Sequence, residues 1–156
     1  MLFFLKLVSL FSFCFSDKEN VLKNHLLENY YSDNLPSSNT TVELSLGIAF
    51  KSLTNIDHID GTVTSNIWLR QWWIDDNLKW NKTDWNISKL SFYTNPELDR
   101  TIWTPDMYLY NTAEKPLEQI DYSMAMVYNN GNVIWSRPGM MKSTCNFDLK
   151  LFPYDQ

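Results

Sequence analysis

The 156-residue chain has few of the groups on which most enzymes and metal sites depend. It contains two histidines, His25 and His58, and two cysteines, Cys14 and Cys145. Neither histidine has a serine or cysteine nucleophile beside it, and no local pattern pairs Cys145 with His58. The acidic turn around His58 could touch a divalent ion, but Asp-rich segments of this kind are usually only turns. We therefore expect no enzyme activity, no metal site and no cofactor.

Positive charge is also scarce, with 13 Lys and Arg against 18 Asp and Glu. This acidic balance argues against nucleic acid as a partner, because binding to phosphates requires basic side chains. It is compatible with a cationic ligand, although a soluble acidic surface needs no ligand at all.

A long apolar run is present only at the start of the chain, from Leu2 to Phe15. It is shorter than the roughly 20 residues of a membrane helix and ends before a polar stretch, with Cys14 and Ser16 at cleavage-site positions. We predict a secretory signal peptide over residues 1–16 and one mature domain over residues 17–156; the alternative is a buried N-terminal helix. As printed, the mature product could not itself form a pore.

Export would leave Cys145 as the sole cysteine in an oxidising setting, which suggests a missing partner. Glycosylation sequons at Asn39, Asn81 and Asn86 are compatible with secretion.

Hydrophobic periodicity predicts one short helix followed by strands. Leu22, Leu26 and Tyr30 recur every four residues, which is typical of an amphipathic helix within residues 17–31. From residue 42 to 50 the period is two, which predicts a half-buried strand with residues 42, 44, 46, 48 and 50 on one face. A second strand should cover residues 62 to about 74, and Asn129-Asn130-Gly131 predicts a hairpin. The fold class is therefore all-β: an immunoglobulin-like antiparallel β-sandwich preceded by a short N-terminal α-helix.

Trp68 occupies an unusual position in the second strand. Alternation places Ile67 and Leu69 on one face and Trp68 with Arg70 on the other. An indole on a polar face commonly marks a contact surface, although a tryptophan packed under a loop or glycan is the alternative.

Six of the seven tryptophans lie between residues 68 and 103. Trp73, Trp80 and Trp103 are expected in the core, because clustered tryptophan in a sandwich fills the space between sheets. Aromatic faces that remain exposed attract organic cations.

Several motifs in one order resemble the extracellular domain of nicotinic acetylcholine receptor-type subunits of the Cys-loop receptor family. They are Leu-Thr-Asn-Ile-Asp at 53–57, Ser-Asn-Ile-Trp-Leu-Arg-Gln at 65–71, Asp75, Leu78-Lys79-Trp80, Trp-Thr-Pro-Asp-Met-Tyr-Leu-Tyr-Asn at 103–111, Arg137-Pro138-Gly139, Lys142-Ser143, and Cys145 followed by Phe152-Pro153-Tyr154-Asp155. The similarity covers essentially all of residues 17–156.

The resemblance implies a ligand site between neighbouring subunits. Trp68 matches the aromatic residue of the complementary face, and Tyr110 matches the first aromatic of the principal face. Met126, Ile134 and Ser136 fall where the complementary face contributes from a hairpin. Trp103 and Asp106 match the framework of the first principal-face loop.

The resemblance also implies roles in gating and in disulfide formation. His58, Ile59, Phe152 and Pro153 would face a membrane domain and transmit binding to a gate; the alternative is an ordinary turn with Ile59 tucked under it. Cys145 would pair with a cysteine beyond the end of the chain. We therefore expect the printed chain to be incomplete at its C-terminus, poorly stable alone, and secreted or degraded.

Three functions are compatible with these observations. The favoured one is the extracellular part of a channel subunit that binds a small cationic, acetylcholine-like neurotransmitter. Its partners would be homologous subunits in a pentamer, and its location the extracellular face of the plasma or postsynaptic membrane, reached through the secretory pathway. The others are a secreted acetylcholine-binding-type protein without a channel and an aromatic-rich carbohydrate-binding or adhesion sandwich.

Overall fold

The structure is a computed structural model that describes residues 18–36, 41–95, 101–113 and 123–149. The predicted signal peptide, Asn39, Phe152 and Pro153 lie outside these residues. The described chain divides into two compact units. Unit 1 contains residues 18–36, 41–45, 71–95, 101–104 and 123–135; unit 2 contains residues 46–70, 105–113 and 136–149.

Two helices and five strands make up the described secondary structure. Helix α1 covers residues 18–27, and α2 is the four-residue helix Lys82–Trp85. The strands are β1 (Ser45–Asp57), β2 (Thr62–Lys79), β3 (Lys89–Phe92), β4 (Ala125–Tyr128) and β5 (Asn130–Thr144). Their hydrogen-bonded order is β1-β2-β5-β4-β3, and β3, β4 and β5 pair antiparallel. The predicted class, mostly antiparallel β structure with a short N-terminal helix, is confirmed and is consistent with an immunoglobulin-like sandwich.

Unit 1 holds a continuous hydrophobic core. Leu22 of α1 is fully buried, and Leu26 and Tyr30 pack against the same cluster, as the four-residue period predicts. Trp73 and Trp80 are 3% and 8% exposed, which confirms their predicted place in the core. Each large side chain buried in this way contributes about 1.5–3 kcal/mol.

The β4–β5 hairpin closes where the Asn-Gly pair predicts it. Gly131 has φ 85°, a backbone conformation that residues with a Cβ rarely adopt. An added Cβ would also lie 2.5 Å from the carbonyl oxygen of Asp75, so this position requires glycine for space as well as for conformation.

Strand β1 differs from its prediction within unit 2. Leu46, Ile48 and Phe50 are 48%, 55% and 63% exposed, whereas Gly47 and Ala49 on the opposite face are only half-exposed. The expectation that this apolar face is buried is therefore wrong for these three residues. Periodicity predicts which side chains share a face, but burial also requires a second layer against that face.

Candidate ligand-binding site

Trp68 is held outward by the burial of its neighbours in β2. Ile67 and Leu69 are 3% and 8% exposed, whereas the Trp68 side chain is 37% exposed. Because a strand turns successive side chains to opposite faces, anchoring Ile67 and Leu69 orients the indole away from the buried face. The predicted exposure of Trp68 is confirmed, and a tryptophan fully packed under a loop is excluded.

Tyr110 lies in the same unit on a segment tied to β5. The Ala113 amide donates to the Lys142 carbonyl at 3.0 Å, and the Thr144 amide donates to the carbonyl of Asn111 at 2.8 Å. Tyr110 itself is fully exposed. A ring this open makes no substantial packing contact with Trp68 of the same chain. The two aromatics are thus available to contact other molecules.

The hairpin brings two predicted residues together. Met126 and Ile134 are direct partners in the antiparallel β4–β5 ladder, and both are half-buried. Opposed residues in such a ladder project from the same face, so these two side chains form one apolar strip. Ser136 is half-buried further along β5, in unit 2.

Trp72 and Tyr128 join Ile134 around a cavity of about 410 Å³ in unit 1. Trp72 follows Trp68 by four residues in β2, so alternation places both on the same face of the strand. No role was predicted for Trp72 or for Tyr128 from the sequence. The signal for Tyr128 was available, because residues 126 and 128 of one strand face the same way.

Trp103, predicted as framework, is anchored from two sides. Its ring meets Trp73 edge-on, with centroids 5.8 Å apart at 78°. Its backbone amide donates to the Tyr30 hydroxyl at 2.9 Å, and that hydroxyl donates to an Asp75 carboxylate oxygen at 2.6 Å. Asp106, the other predicted framework residue, is exposed.

Burial dominates the titration of the Tyr30–Asp75 pair. Desolvation, followed by the hydrogen bond to Asp75, raises the pKa of Tyr30 far above its ordinary range. Desolvation also raises the pKa of Asp75, although hydrogen bonds from Tyr30 and Asn77 oppose it. At neutral pH the phenol remains protonated and acts as the donor. Through these hydrogen bonds Tyr30, which follows α1, is joined to Asp75 of β2 and to the backbone at Trp103.

The turn after β1 is capped by Asp57. Its Oδ1 accepts from the backbone amides of Ile59 and Asp60, each at 3.0 Å. The bond from Asp60 and then that from Ile59 hold the pKa of Asp57 below its ordinary value. His58 is exposed and Ile59 is 85% exposed, so the alternative in which Ile59 is tucked under the turn is wrong.

Cys145 carries a free, exposed thiol in the described part of the chain. Its backbone amide donates to the Gly61 carbonyl at 2.8 Å, which places it beside the β1–β2 turn. Among the sequons, Asn81 caps the start of α2 by accepting from the Thr83 amide at 3.0 Å, and exposed Asn86 follows its end.

Within the described ranges, no helix has the length and apolar character needed to cross a membrane.

Comparison with known proteins relates most of the chain to one family. Residues 19–156 match the family described as the neurotransmitter-gated ion-channel ligand binding domain. Neuronal acetylcholine receptor subunit beta-4 of Gallus gallus is 35% identical over 146 residues, which cover 90% of this chain and 30% of that protein. The neuronal acetylcholine receptor subunit alpha-2 of Homo sapiens is 32% identical over 144 residues, which cover 90% of this chain and 26% of that protein. The beta-3 subunit of Homo sapiens is 29% identical over 143 residues, which cover 90% of this chain and 30% of that protein. The chain thus spans between about a quarter and a third of the length of these relatives.

Proposed function

Since this chain belongs to the neurotransmitter-gated ion-channel ligand-binding domain family, we propose that it is the extracellular ligand-binding part of an acetylcholine-type channel subunit. It binds a small organic cation at the boundary between neighbouring subunits. Binding shifts the population of the assembled receptor towards an open pore, because the ligand has a higher affinity for that state. The receptor-subunit names of its relatives support the ligand class and the assembly.

The exposed indole of Trp68 is the observation that carries this proposal. Its neighbours Ile67 and Leu69 are buried, so the ring is presented on a fixed strand. The face of an indole attracts an ammonium group with about 0.5–2 kcal/mol, and the larger value applies when a partner excludes water. A neighbouring subunit would supply that exclusion.

Tyr110 supports a site shared between two subunits. Its full exposure leaves it without a substantial packing partner among the described residues of its own chain. We assign Trp68 with Met126, Ile134 and Ser136 to the complementary face. Tyr110, on its Trp103 and Asp106 framework, belongs to the principal face of the next site.

The exposed turn and the asparagines of the glycosylation sequons fit the same assignment. Ile59 presents 85% of its surface at the tip of an Asp57-capped turn, which suits a contact that transmits binding to a gate. His58 lies beside it, and Phe152 and Pro153 belong to the proposed gating set. We assign Cys145 to a disulfide. Glycans on at least one of Asn39, Asn81 and Asn86 accompany passage through the secretory pathway to the extracellular face of the membrane.

The decisive experiment measures agonist affinity in assembled receptors that contain this chain. Trp68→Ala should weaken cholinergic binding by about 1–2 kcal/mol, the strength of a desolvated cation–π contact. Trp68→Phe, which keeps an aromatic face, should weaken it less. Tyr93→Ala, at a 59%-exposed tyrosine without an assigned role, is the matched control.

Unchanged affinity in correctly assembled Trp68→Ala receptors would contradict the proposal. Saccharide binding in place of cholinergic binding would favour the carbohydrate alternative.

A further inference from the structure

The sequence contains a single Asn-Gly pair, Asn130-Gly131, and it lies in the turn between β4 and β5. The other glycines follow a leucine, an aspartate and a proline. Asn130 is exposed, so water reaches its carboxamide. The turn therefore combines an accessible side-chain carbonyl carbon with a peptide nitrogen whose own residue has no Cβ.

The carboxamide of Asn130 is folded back over the peptide bond to Gly131. Its Oδ1 accepts from the backbone amide of Asn132 at 3.2 Å. The ring of atoms that this hydrogen bond closes contains both Cγ of Asn130 and the nitrogen of Gly131. The hydrogen bond thus holds these two atoms close together.

The Asn132 amide also lies where negative charge would develop. When the Gly131 nitrogen attacks Cγ, the oxygen that becomes anionic is Oδ1, the atom to which Asn132 already donates. A fixed backbone donor at a developing oxyanion lowers the barrier to attack on a carbonyl. Because Gly131 has no Cβ, the attack also avoids the crowding that a side chain would introduce.

The fold itself requires the glycine of this pair. A Cβ at residue 131 would lie 2.5 Å from the Asp75 carbonyl oxygen and 3.0 Å from Cγ of Lys79. Its φ of 85° is a second restriction to glycine. The close approach of the hairpin to β2 therefore keeps the reactive pair in the turn.

From this geometry we infer that Asn130 is a site of spontaneous covalent modification, at which the side-chain amide is lost through a cyclic imide. The Gly131 nitrogen gives its proton to hydroxide and bonds to Cγ, and the side-chain nitrogen takes a proton from water and leaves as ammonia. One water molecule then opens the imide. Cleavage of the new N–Cγ bond gives aspartate, and cleavage of the original backbone C–N bond gives isoaspartate. Neither step is an oxidation or a reduction.

Isoaspartate should disturb the hairpin more than aspartate does. It directs the main chain through Cβ and Cγ of residue 130, which lengthens the turn by one methylene group. Val127 and Val133 are direct partners in the adjoining ladder, and both are buried. A longer turn displaces one strand against the other and weakens the packing of these side chains.

The test follows the intact folded protein that contains this chain during incubation at neutral and mildly alkaline pH. Loss of the amide raises the mass of the peptide that carries Asn130 by about 1 Da, which peptide mapping by mass spectrometry detects. Enzymatic methylation specific for isoaspartate identifies that product. We expect conversion at Asn130 to become faster as pH rises, because the attacking nitrogen must lose its proton.

Asn81 is the matched internal control. It is exposed and accepts from the Thr83 amide at 3.0 Å in the same way, but Lys82 follows it in place of glycine. Measured on copies of its peptide that carry no glycan, it should convert about tenfold more slowly than Asn130, or slower still.

Two variants separate the products. Asn130→Ser removes the carboxamide, so it should form no isoaspartate at residue 130 and should keep its melting temperature during incubation. The unmodified chain should lose about 2–4 °C as isoaspartate accumulates. Freshly prepared Asn130→Asp adds the charge without lengthening the main chain, and it should melt within about 1 °C of the unmodified chain.

A synthetic peptide that covers residues 126–135 shows how fast the same pair reacts without the fold. Asn130 that stays intact in the folded protein while the peptide converts would overturn the inference, as would equal conversion at Asn81. None of these measurements requires a ligand or a channel, so their outcome is independent of the proposed function.

Discussion

The two units of the chain place their large apolar side chains differently. In unit 1 the rings of Trp80 and Trp135 are buried with their polar atoms satisfied: the Trp80 indole N–H donates to the Ile87 carbonyl at 2.7 Å, and that of Trp135 donates to the Ser123 carbonyl at 3.2 Å. In unit 2 many of the large apolar side chains are exposed; they include Leu46, Ile48, Phe50, Leu53, Ile56, Ile59, Trp68 and Tyr110. Unit 1 is stabilised by the packing of its own side chains, whereas unit 2 exposes apolar surface that is available to contact other molecules.

The largest expected contrast is between a core ring and an exposed ring. Trp135→Ala should destabilise the chain by about 3–5 kcal/mol, because it leaves a cavity and removes the donor to the Ser123 carbonyl. Phe50→Ala should change stability by no more than about 0.5 kcal/mol, since that ring is 63% exposed. Urea denaturation of both variants measures the difference. Similar losses would show that Phe50 is packed in solution and that the contrast is incorrect.

The turn glycines offer a second contrast. Gly131→Ala should cost about 1–3 kcal/mol, since it combines a φ of 85° with a 2.5 Å approach to a backbone oxygen in unit 1. Gly61→Ala should cost less, because its Cβ would meet only the Cys145 carbonyl, at 3.1 Å in unit 2. Melting temperatures of the two variants test this order, and the reverse order would refute it.

Two carboxylates should respond to acid in opposite directions. Asp75, in unit 1, has a raised pKa, so the folded state binds its proton more tightly than the unfolded state does. Its contribution to stability therefore increases as pH falls through the raised pKa towards the ordinary Asp value. Asp57, in unit 2, has a lowered pKa, so its stabilising contribution is present above the ordinary value and is lost as pH falls through the folded pKa.

The isosteric variants Asp75→Asn and Asp57→Asn isolate these contributions. We would measure the free energy of unfolding from pH 7 to pH 3 and subtract each variant from the unmodified chain. The two difference curves should slope in opposite directions. Parallel curves would show that burial does not raise the pKa of the Asp75 carboxyl.

The smallest expected effect on stability is at the exposed turn. Ile59→Ala should alter the free energy of unfolding by less than about 0.5 kcal/mol, because the side chain is 85% exposed. In assembled receptors it should nevertheless shift the agonist concentration for half-maximal current. Val21→Ala, at a 50%-exposed residue of α1, is the control and should shift neither quantity. An unshifted response for Ile59→Ala would leave the turn without its proposed role.

Prediction from sequence succeeded where local chemistry and packing agree. The four-residue period of Leu22, Leu26 and Tyr30 predicted α1 because a single stripe of a helix packs on the core. Asn129-Asn130-Gly131 predicted the hairpin because its backbone angles suit few other residues. Helix α2 was missed because it is a single turn held by the Asn81 cap and buries no residue. The short strand β3, residues 89–92, was also missed.

The sequence by itself determined the family, the strand alternation that exposes Trp68, and the burial of Trp73 and Trp80, since these follow from residue types at short, regular spacings. Only the tertiary structure decided that Trp72, Tyr128 and Ile134 line one cavity, and that Tyr30 joins Asp75 to Trp103. It also decided that the apolar face of Leu46, Ile48 and Phe50 is exposed. The physical reason is that periodicity describes one strand at a time, whereas a cavity, a buried hydrogen bond or a covered face depends on residues far apart in the chain.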